Sequence, residues 1–309
     1  MTVSTDTASA YASVPRPRLE HILQDVTIVC VTYQSAALVR AIASRLRRFP
    51  NVIVVDNASS DGCADLLARE LPQARIVRNG SNLGFGRANN QAVRLVATSF
   101  ALLLNPDCDI ALPALEALLA AMAAYPRAAI IAPQGRRPCS APQPSYRHAF
   151  FERRAKLPYR IPDGICSAKW LHGCCMLVRV EAFRHFGGFD ERFFLYYEDD
   201  DLCLRALQAG YDCLLEPAAE VCHAGGASCG KSWRLDLRKQ FHFFRSRHAI
   251  IGKYLGPRAA DYYLVKSALA APFAFSLYLL LWRRRHALKW LAWGCAAWRR
   301  IGGSVLAMY

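Results

Sequence analysis

Four consecutive acids, Glu198, Asp199, Asp200 and Asp201, stand between the aromatic run Phe193-Phe194-Leu195-Tyr196-Tyr197 and a leucine-rich stretch with helical spacing. Charges packed that densely repel one another, so they serve chemistry or are neutralised by partners. Upstream, Leu102-Leu103-Leu104 runs into Asn105-Pro106-Asp107-Cys108-Asp109. In an extended segment Asp107 and Asp109 would share one side while Cys108 points away. Such a pair suits a hard divalent cation that bridges phosphate oxygens. The plainer use is an Asn-Pro-Asp turn with acids capping the next helix. A cation site and a separate carboxylate cluster together would serve metal-assisted transfer from a nucleotide diphosphate.

Positioning these residues needs a scaffold, and the chain alternates strand and helix patterns. Apolar strand-length runs occupy 26–31, 52–55, 75–78, 100–104 and 129–131, and helical recurrence fills 36–48, 64–71, 86–97 and 113–124. This predicts an α/β fold with a mostly parallel central sheet covered by helices on both faces. Ligands of open sheets sit beyond the carboxyl ends of the strands, where Tyr33, Asp56, Asn82 and Asp107 all fall. Asp56 could accept from a pyrimidine imide N–H or cap the loop at Ala58 or Ser59. Asn82-Leu83-Gly84-Phe85-Gly86 opens a helix with two glycines, so backbone N–H groups can approach an anion. No glycine follows the first strand at Thr32-Tyr33-Gln34-Ser35, which disfavours a dinucleotide-binding dehydrogenase.

From residue 134 to about 165, prolines, arginines and polar residues break the periodicity, predicting a mobile loop between two halves. The second half holds a strand entered through Gly173, the Gly187-Gly188 turn, the acidic cluster and short strands at 211–215 and 220–223. Asp201 and Arg205 are spaced i, i+4, which suits a structural ion pair. The resulting division is a flexible tail over 1–25, a first half over 26–133, a second half over 134–230, and a helical segment over 231–309.

Hydrophobic residues make up 53% of the 309 and charged ones 20%, which places the chain among globular proteins. The opening twenty residues lack both a cationic start and an apolar core, so they read as neither signal peptide nor spanning helix. The net charge of +15 is uneven: residues 231–309 hold 15 Lys and Arg against only Asp236 and Asp261, which leaves the remainder nearly balanced. There an uncharged run over 267–282 precedes Arg283-Arg284-Arg285, and Trp282, Trp290, Trp293 and Trp298 alternate with cations. The run is shorter than the roughly 20 residues of a usual spanning helix. The mixture predicts a peripheral or re-entrant anchor on an anionic membrane, at the cytoplasmic face. A helical hairpin closing over the catalytic region is the alternative, and nucleic acid is disfavoured because it would not solvate the apolar run. Twelve cysteines without paired Cys-x-x-Cys spacing read as reduced core thiols, consistent with a reducing cytosol.

Several ordered motifs now fit one family. They are Val31-Thr32-Tyr33, Val55-Asp56-Asn57-Ala58-Ser59-Ser60-Asp61, Asn82 to Asn90, Leu104 to Asp109, Gly187-Gly188-Phe189-Asp190, Tyr197 to Asp201, and His223-Ala224-Gly225-Gly226. Over about 26–228 the chain resembles inverting, GT-A-fold family-two glycosyltransferases, most closely their bacterial rhamnosyltransferase branch. The resemblance implies donor contacts at Thr32, Tyr33, Asp56, Asn82, Gly84, Asn89 and Asp107. It implies Mg²⁺ or Mn²⁺ on Asp107, Asp109 and His223, and an acceptor side at Trp170, His172 and Gly173. Asp199 matches the carboxylate that deprotonates the acceptor hydroxyl, and Glu198 would orient it or the acceptor. The implied donor is a nucleotide-diphosphate sugar such as dTDP-rhamnose or a UDP-hexose, and the implied acceptor is lipid-linked or a growing polysaccharide. A non-catalytic sugar-nucleotide-binding or membrane scaffold protein would have lost Asp109 or Asp199, and both are present.

Overall fold

The computed structural model describes residues 23–138, 141–152, 158–225 and 232–301. Most of the expected N-terminal tail, Gly226 of the last motif and the boundary at 230 lie outside the described residues. Eleven strands are labelled in chain order: β1 Val26–Thr32, β2 Val52–Asp56, β3 Arg75–Arg78, β4 Phe100–Leu104, β5 Cys108–Ile110, β6 Ala128–Arg136, β7 Tyr146–Arg147, β8 Cys166–Ser167, β9 Trp170–Leu171, β10 Cys175–Arg179 and β11 Asp212–His223. The helices are α1 Val39–Leu46, α2 Cys63–Glu70, α3 Phe85–Arg94, α4 Leu112–Ala124, α5 Val180–His185, α6 Glu198–Gln208, α7 Trp233–Leu255, α8 Pro257–Leu280 and α9 Arg284–Ile301.

One nine-stranded sheet runs in the order β3-β2-β1-β4-β10-β6-β11-β5, with β8 added alongside β11. It is parallel from β3 to β4 and between β6 and β11, while β10 lies antiparallel between β4 and β6. Successive side chains on these strands point to opposite faces. Ile28, Val54, Leu102 and Leu104 therefore enter one core, while Val29, Val55, Ala101 and Leu103 enter the other. Burial on both faces explains why the strands read as continuous apolar runs.

The two expected halves are stitched into this one sheet, and the boundary at 133/134 falls inside β6. The stretch from residue 134 is also more ordered than its composition predicts. Gln134 to Arg136 extend β6, Tyr146 and Arg147 pair with Leu171 and Trp170, and the Tyr159 hydroxyl donates to Gln134 Oε1 at 2.6 Å. The short strands expected at 211–215 and 220–223 are a single strand, β11, whose register against β6 shifts between Glu216 and Glu220.

The C-terminal helices form a third core of Phe241, Phe244, Leu264, Ala268, Ala292, Trp293, Ala296 and Ala297. Helix α8 spans 24 residues and is long and apolar enough to cross a membrane, because it starts well before the uncharged run. Only 22% of its most apolar stretch is buried.

Candidate active site

A cavity of about 970 Å³ opens where β1, β2 and β4 end. Tyr33, Asn57, Ala58, Asn82 and Gly84 line one wall, and Asn105, Asp107 and His223 lie deeper. Asn57 organises the first wall: its Nδ2 donates to Asn82 Oδ1 at 2.9 Å and to Gly84 O at 3.2 Å, and its Oδ1 accepts from Leu83 N at 3.0 Å. Gly84 has φ +86°, and a Cβ there would lie 2.4 Å from Phe194 O. That contact needs glycine, and Phe85 N donates to Phe194 O at 3.0 Å, which ties this wall to the acidic segment.

Three expected donor residues sit elsewhere. Thr32 is buried and donates to Asp56 Oδ1, while Asp56 Oδ2 accepts from Ser59 N at 2.9 Å. Asp56 thus serves the loop cap, behind the wall that Tyr33, Asn57 and Ala58 present. Asn89 is buried within α3 and donates to Phe85 O one turn back. Its short amide is satisfied by the helix itself.

Asp107 and His223 converge, with Nε2 at 3.5 Å from Asp107 Oδ1. His223 Nδ1 lies 3.2 Å from Gln143 Oε1, and a tautomer that donates to Gln143 leaves the Nε2 lone pair beside Asp107. Burial disfavours a charged ring, but Asp107 and the Cys174 thiol outweigh it and push His223 up to about 10. Neighbours that stabilise positive charge on the ring also suit a cation, and one oxygen and one nitrogen donor fit Mg²⁺ or Mn²⁺. The thiols of Cys108 and Cys174 lie within 4.8 Å of the His223 donor atom, so softer donors surround the same point.

Asp109 does not join them. Cys108 N donates to Asn105 O at 3.0 Å, so Asp107 belongs to a turn and the extended alternation begins only at Cys108. Cys108 consequently faces inward, and Asp109 emerges half-exposed beside Arg45 (4.0 Å) and Arg48 (3.9 Å). The expectation of an Asp107–Asp109 pair is corrected.

The four acids open α6, preceded by Tyr196 and Tyr197 at φ 70° and 64°. Two successive left-handed residues turn the chain sharply, and Glu198, Asp199 and Asp200 reach the cavity while Asp201 turns into the interior. Asp199 Oδ1 accepts from Asp200 N at 3.0 Å and Oδ2 from Gly173 N at 3.3 Å, which fixes its carboxylate plane. Burial, then Asp199 and Asp200, hold the Glu198 carboxyl well above the usual range. Burial and Asp199 push Asp200 up to about 8 against the pull of Arg147, whose Nη2 lies 2.7 Å from Asp200 Oδ2. Asp201 binds Arg205 at 2.7 Å, the ion pair its spacing predicts.

Residues 27–187 match the profile of glycosyl transferase family 2. The chain belongs to this family. It is 31% identical over 259 residues to the N-acetylglucosaminyl-diphospho-decaprenol L-rhamnosyltransferase of Mycobacterium tuberculosis, covering 72% of this chain and 84% of that one. It is 27% identical over 195 residues to the low-salt glycan biosynthesis hexosyltransferase Agl10 of Haloferax volcanii, covering 60% of this chain and 62% of that one. Among solved structures, the mannosyltransferase PcManGT of Pyrobaculum calidifontis, in complex with GDP-Man and Mn²⁺, superposes with TM-score 0.54 at 16% identity over 93% of both chains. The chain has the GT-A-like α/β fold and is a transferase.

The remaining walls of this glycosyltransferase come from less legible segments. Trp170, His172 and Gly173 line the cavity, and the His172 ring sits 5.4 Å from that of His223. A Cβ on Gly173 would lie 3.2 Å from Asp199 Cβ, so that position keeps the carboxylate uncrowded. Arg147, stacked 4.3 Å over Trp170, comes from the stretch whose composition suggested a loop. Leu235, Arg238, Lys239, His242, Phe243 and Arg247 of α7 also line the cavity. Their i, i+3, i+4 recurrence was readable, but not which face it presents.

Proposed function

We propose that this glycosyltransferase moves rhamnose from a nucleotide-diphosphate donor, with inversion, to a lipid-linked acceptor at the cytoplasmic surface of a membrane. The observation that carries the chemistry is Asp199, held by two backbone N–H groups at a cavity that also contains Asp107 and His223. Its free lone pairs receive the acceptor hydroxyl proton as that oxygen attacks the anomeric carbon. Burial disfavours charge on Glu198 beside the base, and Asp200 is held by Arg147. The Asn82–Gly84 turn presents its polar groups to the donor, and Phe194 fixes that turn. Asp107 and His223 would hold a divalent cation, which would supply charge neutralisation for the departing diphosphate.

The acceptor class rests on the relative named for a diphospho-decaprenol substrate and on the exposed face of α8. A UDP-hexose donor is the second reading, supported by the hexosyltransferase relative. The test is nucleotide release and product analysis with dTDP-rhamnose and UDP-hexoses, each with Mn²⁺, Mg²⁺ or chelator. The expected result is transfer from dTDP-rhamnose only with metal, and a product anomer inverted relative to the donor by nuclear magnetic resonance. Thermal stabilisation by dTDP that persists in chelator overturns the metal assignment, and a retained configuration overturns single displacement.

A further inference from the structure

We infer that the cavity-facing side of α7 is the phosphate-binding subsite for the acceptor, with Arg238, Lys239 and Arg247 receiving the diphosphate that joins its sugar to its lipid. This deepens the lipid-linked acceptor reading and rests on it. Positions 235, 238, 239, 242, 243 and 247 form one helical stripe, and all six side chains line the cavity that holds Asp199. Among the described residues none of these three cations pairs with a carboxylate. By contrast, Lys253 on the same helix binds Asp190 at 2.8 Å and Asp201. Three cations beside a catalytic cavity, without such partners, provide charge-assisted hydrogen bonds for an anion.

The residues between the cations say which anion. Leu235 and Phe243 are apolar, and burial together with Arg245 and Arg238 lowers His242 to about 4, so its ring is neutral where it stacks on Phe194 at 4.3 Å. A sugar is gripped by carboxylates and amides, whereas alternating cations and hydrocarbon suit a phosphate ester that continues into a lipid chain. The wall proposed above for the donor, at Asn82, Gly84 and Asp107, is made by other elements of the same cavity. Helix α7 then turns at Gly256 directly into α8, where Tyr262, Val265, Leu269, Phe273, Leu277 and Leu280 face outward, so hydrocarbon surface begins where the phosphate surface ends.

The experiment measures binding of farnesyl diphosphate to the full chain, alongside transfer to N-acetylglucosamine carried on a polyprenyl diphosphate or on an uncharged alkyl glycoside. The Arg238→Ala/Lys239→Ala double variant and Arg247→Gln are compared with wild type, and Arg238→Lys serves as the charge-keeping control. Farnesyl diphosphate affinity and the KM for the diphosphate acceptor should worsen by about tenfold or more in the neutralised variants. The donor KM and transfer to the alkyl glycoside should hold, and Arg238→Lys should recover most of the binding. Equal losses with both acceptors, or displacement of farnesyl diphosphate by dTDP, overturn the subsite, the second by assigning these cations to the donor. Wild type that binds farnesyl diphosphate through these residues yet transfers to neither acceptor sinks the acceptor reading while leaving the subsite standing.

Discussion

The α/β body and the three C-terminal helices use apolar residues in opposite ways. In the body nearly every large apolar side chain enters one of the two cores, and among the described residues only Leu66, Tyr125 and Phe151 are left exposed. In α8, α9 and the turn between them small residues fill the interior around Trp293, while Leu269, Phe273, Leu280 and Trp282 stay more than half exposed. The body uses its hydrophobicity to concentrate polar groups at one cavity; the helices leave much of theirs exposed. Chemistry and the proposed attachment should therefore be separable by substitution.

The largest expected effect tests the body alone. Asp199→Asn keeps shape and hydrogen-bonding reach but cannot accept a proton, so transfer should fall by roughly 10² or more while vesicle binding and donor binding persist. Asp200→Asn should lose much less, since its amide oxygen can still accept from Arg147; a reversed order moves the base to Asp200.

Next comes the converse, in which Phe273→Glu with Leu277→Glu places two charges on the outward face of α8. Each lost insertion forgoes about 1.5–3 kcal/mol, so binding to anionic vesicles should weaken by at least about tenfold. The melting temperature should not move, because Phe273 and Leu277 are 78% and 53% exposed. A large fall in stability would instead mean that this face packs on protein.

A smaller effect probes the seam between the regions. His242 has its pKa lowered to about 4 in the folded chain, below its ordinary value of 6.5, so the unfolded state binds more protons between these values. Its contribution is complete above about pH 6.5 and disappears as pH falls through 4. His242→Phe should flatten that part of the melting-temperature profile, and an unchanged profile would remove His242 from the seam.

The smallest effect belongs to a residue that serves neither region's function. Asp109→Asn should leave metal-dependent dTDP stabilisation within about twofold of wild type, because Asp109 faces Arg45 and Arg48 rather than the cavity. Asp107→Asn should abolish that stabilisation.

What could be read from the sequence divides along the same physical line. Strands such as β2 and β4 announce themselves because burial on both faces requires β-branched or leucine runs, and the Asp201–Arg205 pair follows from helical spacing alone. Asp109 misled because extended spacing was assumed through Pro106, where a turn in fact rotates Asp107 out of the alternation. Asn89 and Asp56 carried suitable chemistry but had local backbone partners, which compete first for short polar side chains. Arg147 and the α7 cations depended on tertiary placement, since a helix pattern does not reveal which stripe faces a cavity contributed by distant strands.

Asp201 does more than pair with Arg205. It also accepts from Lys253 Nζ at 2.5 Å and from the Tyr254 hydroxyl at 3.0 Å, while Ser246 donates to Leu195 O at 2.8 Å. The helix that carries Asp199 in its first turn is thus clamped to the last turn of α7, and α8 starts at Pro257 just beyond. With α8 on a bilayer, as proposed above, this clamp would make the enzyme a height gauge. The standoff between Asp199 and the lipid surface would then be set by the protein, and acceptors would be sorted by how far their hydroxyl stands above the membrane as well as by which sugar carries it.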